Sequence, residues 1–198
     1  MQEETKQISV CVFGASSDGI DEVFKRDAYQ LGALMAQRGW TGINGGGAKG
    51  VMGAVTNGAL DNGGNVTGVI PKFMVDNNWQ YDRLQNLLGT ADMHQRKEMM
   101  LQMCDAVVAC AGGCGTLEEL METYTWKQLG IINVPIILLN TEGFYDALAT
   151  QLQVCVSRGM MSAEHGALWH IAATPEEAVR LVDELTSAAP EVVSSKQA

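Results

Sequence analysis

Short, continuously apolar runs alternate along this chain with longer stretches whose apolar residues recur every three or four positions. That rhythm predicts strands alternating with helices. Residues 8–13 read as a first strand, and about 20–38, stopped by Gly39, as a first helix. Residues 41–43 lead into Gly45-Gly46-Gly47, then a helix over about 51–61 and a strand over 66–70. Residues 71–91 carry no clear period and are expected to be irregular. A helix around Arg96, a strand over 106–110 and a helix carrying Glu119 follow. The last strand read from the pattern is 134–139, with a helix over about 144–157. Thr174-Pro175-Glu176-Glu177 marks a final helix, with threonine at the N-cap and proline at the first position.

Strands that are apolar throughout, separated by helices, predict a parallel sheet covered on both faces. The expected fold class is α/β, a Rossmann-like doubly wound parallel sheet in one domain over residues 1–186, with a polar, frayed tail over 187–198. No internal repeat or linker interrupts it. In such sheets ligands lie beyond the carboxyl ends of the strands. Three glycine-containing loops are expected there: 14–19, 44–50 and 112–115.

Composition narrows the classes. At 198 residues and 46% hydrophobic content the chain can bury a sizeable core. A formal charge of −10 disfavours nucleic-acid polymers and anionic membrane surfaces. No apolar stretch approaches 18 residues and no basic start precedes an apolar segment, so a cytoplasmic protein without membrane partners is expected. The five cysteines (Cys11, Cys104, Cys110, Cys114 and Cys155) are odd in number and form no Cys-x-x-Cys pair, which fits a reducing compartment. Cys110-x3-Cys114, with no histidine nearby, is weak evidence for metal, and neither a metal nor another cofactor is expected.

The most informative stretch is Ala111-Gly112-Gly113-Cys114-Gly115-Thr116-Leu117-Glu118-Glu119, directly after the 106–110 strand. Glycines let the backbone approach a ligand, and the first N–H groups of a helix lack intrahelical partners and suit a phosphate. Glu118 and Glu119 are expected in the first helical turn. Carboxylates there repel phosphate, so at least one is expected to act on another part of the ligand. Upstream, Met93, Arg96, Met100 and Met103 share one helical face, so Arg96 interrupts an apolar stripe. A charge there needs a partner. It is either a structural salt bridge or a snorkelling guanidinium, or it is a ligand-facing arginine aimed at the pocket of Glu119. Lys97 is adjacent but points elsewhere on a helix. Glu118 is also explained as a solvated acid near a helix start, His94 as a surface or packing residue, and Met99, Met100 and Met103 as core, while Trp126 either stacks near the base of a ligand or belongs to the core or a subunit interface. Cys114, in the loop at the helix start, is a candidate reactive thiol, opposed by the neighbouring carboxylates.

Met93-His94-Gln95-Arg96-Lys97 and Gly112-Gly113-Cys114-Gly115-Thr116-Leu117-Glu118-Glu119 together strongly resemble the LOG ("lonely guy") family of cytokinin riboside 5′-monophosphate phosphoribohydrolases, often labelled as lysine decarboxylases. Val12-Phe13-Gly14-Ala15-Ser16-Ser17, Gly45-Gly46-Gly47-Ala48-Lys49-Gly50-Val51-Met52-Gly53, Val69-Ile70-Pro71-Lys72 and Thr125-Trp126-Lys127-Gln128-Leu129-Gly130 add to it, over about residues 8–160. The resemblance implies hydrolysis of the N-glycosidic bond of an adenine-type nucleoside 5′-monophosphate, by a homodimer with sites near its interface. Carried onto this chain, Arg96 and Glu119 are the catalytic candidates. Lys97, Gly113, Cys114, Gly115, Thr116, Leu117, Glu118, Ser16, Gly46, Gly47 and Asn78 are the substrate-binding ones. Two departures stand out. Ala111 replaces the proline that usually opens the loop, which predicts a looser corner. Asn78 falls where a substrate-contacting glutamate is usual, with Asp76 the nearest acid. The competing reading is a non-catalytic carrier of a nucleotide or of the molybdenum cofactor. No lysine lies in a context suited to a pyridoxal Schiff base.

Overall fold

The computed structural model describes residues 7–188. Seven parallel strands form one sheet, β1 (Ser9–Phe13), β2 (Thr41–Asn44), β3 (Asn65–Pro71), β4 (Asn86–Thr90), β5 (Ala106–Ala109), β6 (Ile136–Leu139) and β7 (Trp169–Ala172). Their order is β4-β3-β2-β1-β5-β6-β7. The chain starts in the middle, adds three strands to one side, then crosses over and adds three to the other. The order therefore reverses between β1 and β5, where a doubly wound sheet opens its crevice.

Both faces of the sheet are covered, as its uninterrupted apolar strands require. Val10 and Val12 of β1 pack with Ala28, Leu31 and Met35 of α1 (Glu22–Gln37), Val51 and Val55 of α2 (Gly50–Asp61), and Ala178, Val179 and Val182 of α8 (Pro175–Ser187). Their alternates Cys11 and Phe13 face the other way, onto Met100 and Leu101 of α4 (Met93–Gln102). On that same side Ala109, Ile136 and Leu138 meet Leu120 and Tyr124 of α5 (Cys114–Gln128). The period-two alternation of a strand puts successive side chains into two separate cores. Short α3 (Lys72–Asp76) and α7 (Ala163–Gly166), together with α6 (Asp146–Ser157), complete the α-helices of the described residues, and Thr141–Gly143 forms a single 3-10 turn. None of these helices is long and apolar enough to cross a membrane.

Three expectations need correction. Residues 71–91 are not merely irregular, since they hold α3 and the edge strand β4. Every β4 residue except Thr90 is exposed, so no apolar run announces it. Its identity comes from the ladder to β3, running from Thr67↔Asn86 to Pro71↔Thr90. Strand β7 also lies beyond the pattern's last strand, and is defined by pairing with β6. Ser187, assigned to the tail, is the last residue of α8; residues 189–198 of that tail fall outside the described residues.

Candidate functional site

At the switch point the ends of β1 and β5 are laced together. Cys110 N–H donates to the Phe13 carbonyl at 2.8 Å and Ala15 N–H to the Ala111 carbonyl at 3.0 Å. Met52 N–H, at the start of α2, donates to the Ala15 carbonyl at 3.2 Å. Buried Ala111 thus closes the corner through its backbone carbonyl, without help from a proline ring. Gly112 is required here by space. A Cβ at this position would lie 2.1 Å from Thr116 Oγ1 and 2.9 Å from the Ala15 nitrogen.

Beside this corner opens a cavity of about 370 Å3, within the usual range for small-molecule sites. Its wall brings together Ser16, Gly47, Arg96, Gly113, Gly115, Thr116, Glu118 and Glu119 of the sequence candidates. The wall also holds residues that sequence reasoning had not assigned to a site, among them Gly14, Ala15 and Ser17 of the loop after β1 and Met93 and Met100 of α4. Gly45 and Met52 were legible only as parts of a motif, and Met74 lay in the segment expected to be irregular. Phe13 looked like ordinary strand core. The remaining candidates sit outside the wall. Gly46 lies behind it, its N–H donating to Asn44 Oδ1 at 2.9 Å. Leu117 packs in the core beneath α5, Cys114 is exposed at that helix's first residue, and Asn78 is exposed just after α3. Lys97 points away, into the contact between α4 and α5. A larger, more open groove of about 690 Å3 lies beside α1 and α2, but its charges are already paired, Arg83 with Asp61 and Lys25 with Glu22.

The helix start also differs from expectation. Helix α5 begins at Cys114, with Gly113 as its N-cap, so Glu118 and Glu119 stand in the second turn. The first turn is free of acids. Gly113 has no side chain to cap the helix, which leaves the leading N–H groups and the positive end of the helix dipole facing the cavity. One turn deeper, Glu119 meets Arg96 across the cavity, Oε1 to a terminal guanidinium nitrogen, at 3.5 Å. Both side chains are nearly buried, 13% and 12% exposed, so each charge is partly compensated by the other. Arg96 Nε donates to the Val69 carbonyl of β3 at 3.1 Å, so the guanidinium is held from two sides.

Burial pushes the Glu119 carboxyl above the ordinary carboxylate value. Arg96 opposes that shift, Glu118 repulsion adds to it, Lys97 lowers it and Glu122 raises it. The site therefore combines phosphate-competent N–H groups, a hydroxyl (Thr116), one raised carboxyl and one fixed guanidinium, in an otherwise apolar cavity. It can bind an anion at one end and stabilise positive charge at the other.

Fold and site together define a nucleotide-type α/β protein of the doubly wound class. The family described as "Possible lysine decarboxylase" matches residues 52–182. Among curated relatives, cytokinin riboside 5′-monophosphate phosphoribohydrolase LOG1 of Arabidopsis thaliana is 38% identical over 199 residues, covering 100% of this chain and 92% of that protein. LOG2 of Arabidopsis thaliana is 39% identical over 163 residues, 81% of this chain and 76% of its own. The molybdenum cofactor binding protein of Rippkaea orientalis superimposes with a TM-score of 0.71 at 26% identity, covering 91% of this chain and 98% of that chain. The Chlamydomonas reinhardtii molybdenum cofactor carrier protein shares the fold with a TM-score of 0.73 at 23% identity, covering 92% of this chain and 100% of that one. The chain belongs to the LOG family, the one described as possible lysine decarboxylase.

Proposed function

We propose that the protein hydrolyses the N-glycosidic bond of an adenine-type nucleoside 5′-monophosphate, giving free base and ribose 5-phosphate. The observation that carries this reading is the Glu119–Arg96 pair, 3.5 Å apart and nearly buried, one turn beyond a helix start free of acids. The 5′-phosphate is held by N–H groups of Gly115 and its neighbours and by the Thr116 hydroxyl. That anchor brings C1′ of the ribose to Glu119. As the bond from C1′ to the base nitrogen breaks, positive charge grows on C1′ and the ring oxygen. The Glu119 carboxylate stabilises that charge and takes a proton from the attacking water, whose oxygen joins C1′. The departing base takes a proton from solvent onto its nitrogen, and Glu119 returns its own proton to solvent, so that one water in all is added across the bond. Arg96 keeps the carboxylate ionised and binds ribose oxygens. Names of relatives 36–39% identical to this chain describe the same reaction class. The working form is a homodimer in which α4 and α5 meet their counterparts near the site.

A carrier of a nucleotide-like cofactor is the second reading, favoured by the Rippkaea orientalis protein's binding description. Such a carrier has use for the helix start but none for a carboxyl raised by burial. Incubation with adenosine, AMP and ATP, followed by free-base detection, separates them. AMP is expected to release adenine. Adenosine should fall at least about a hundredfold in kcat/KM, since two or three charge-assisted hydrogen bonds of about 1.5–3 kcal/mol each are lost. ATP should also be poor, its extra charge crowding Glu118. Quantitative recovery of intact, bound AMP would establish the carrier instead.

A further inference from the structure

The geometry points to Gly45 as a positioning residue that seats the Arg96 guanidinium opposite Glu119, with Asn44 holding Gly45 in place. This rests on the catalytic reading above. A Cβ built on Gly45 would lie 1.7 Å from an Arg96 terminal nitrogen, 2.9 Å from Cζ and 3.4 Å from Nε. The guanidinium therefore lies directly on the Gly45 backbone, in the space a methyl group would take. Its Nε is fixed by the bond it donates to the Val69 carbonyl at 3.1 Å. The seat is itself built. Asn44 is buried at the end of β2, its amide nitrogen donating to Thr56 Oγ1 at 2.9 Å and its carbonyl oxygen accepting from Gly46 N–H at 2.9 Å. Thr56 in turn donates to the Met52 carbonyl at 3.0 Å, and the Gly46 carbonyl accepts from Tyr81 N–H at 2.8 Å. Side chains of β2 and α2 and the backbone of the segment after α3 thus lock the loop against which Arg96 rests.

Gly45, unlike Gly46, is not held at the positive φ that disfavours alanine. The atom in the way is the tip of a flexible side chain, so alanine at 45 moves Arg96 and leaves the backbone alone. Displacement removes the cation that lowers the Glu119 pKa. The other charged or titratable groups acting on Glu119 are unchanged: Lys97 from α4, Glu118 and Glu122 on α5, and Cys11 from β1.

The test is Gly45→Ala, with Arg96→Ala and the double variant, and Gly89→Ala as a control at a glycine with open space around it. Gly45→Ala should lose about a hundredfold in kcat on AMP, the scale of an ångström's misplacement, with KM changed far less because the phosphate anchor is untouched. The double variant should be no slower than Arg96→Ala alone, as expected if Gly45 acts only through Arg96. Independently of activity, carbon-detected NMR titration should show the Glu119 pKa rising in both single variants and staying put in Gly89→Ala. Wild-type kcat and an unmoved Glu119 pKa in folded Gly45→Ala would overturn the proposal, as would fully additive losses in the double variant. If AMP is not cleaved at all, the catalytic reading fails alone, and the NMR titration still decides whether Gly45 seats Arg96.

Discussion

Two charged clusters join α4 to α5, one residue apart on each helix, and they are built in opposite ways. Arg96 and Glu119 face the cavity at 3.5 Å, a loose contact that leaves lone pairs and N–H groups for a ligand. Lys97 faces the helix interface, in close contact with Glu118 and 3.0 Å from Glu122, with only 6% of its side chain exposed. The electrostatics follow the geometry. Burial opposes the Lys97 charge, but the bonds its ammonium donates toward Glu118 and its attraction to Glu122 outweigh it and raise the pKa, so its charge is secured. Glu119 is raised because burial outweighs Arg96, so its charge is costly. A fold that only needed to staple two helices would repeat the Lys97 arrangement. On the proposed reading, the Arg96–Glu119 pair gives up stability for a group held ready to act.

The largest effect should come from breaking the cavity pair. Glu119→Ala or Arg96→Ala should cost about a thousandfold or more in kcat, the scale of removing preorganised charge stabilisation, while the melting temperature moves by only a few degrees. Arg96→Ala tolerates this because Glu119 can take up a proton. If Arg96→Ala keeps its activity, or unfolds, the pair is structural after all.

Lys97→Met should invert that pattern. Glu122 loses its partner at a site where its side chain is 21% exposed, whereas Glu118 is 57% exposed and can turn to solvent. The expected loss is about 2–3 kcal/mol, below the usual range for a fully buried pair, or roughly 5–10 °C in Tm for a domain of this size. Activity per folded molecule should stay within a few-fold. A collapse of kcat with Tm unchanged would move Lys97 into the binding site.

The smallest effect concerns pH. With its pKa raised in the folded state, Glu119 holds a proton where the unfolded chain has already released it. Its contribution to stability is therefore present below the ordinary carboxylate range and is lost as pH rises through its folded value. Glu119→Gln keeps the shape and removes this dependence, so it should melt above the wild type at pH 7, with the difference closing toward about pH 4. In the wild type the acid limb of kcat/KM should lie above the ordinary carboxylate value, since the proposed mechanism uses the carboxylate form. A limb at or below that value would contradict the shift.

The sequence by itself determined the strands that are apolar on both faces, the helices with clear stops, the glycine loops at one sheet edge, and the anomaly of Arg96 on an apolar stripe. Those features follow from local periodicity and from the cost of burying a charge, and both are written in neighbouring residues. The tertiary structure alone decided three things. Strand β4 exists because β3 offers it a ladder, since its own exposed residues carry no period. Helix α5 starts at Cys114, because Gly113 adopts the extended N-cap conformation, and that places Glu119 one turn deeper than its spacing from the glycines implied. Finally, which of two adjacent cations serves the cavity depends on how α4 is rotated against α5 and β3. The Val69 carbonyl and the bare Gly45 backbone receive Arg96, whereas Glu118 and Glu122 receive Lys97. Those partners lie between 21 and 51 residues away in sequence for each cation. Pairings of that kind are fixed only when the sheet brings distant segments together, and no local pattern in the chain encodes them.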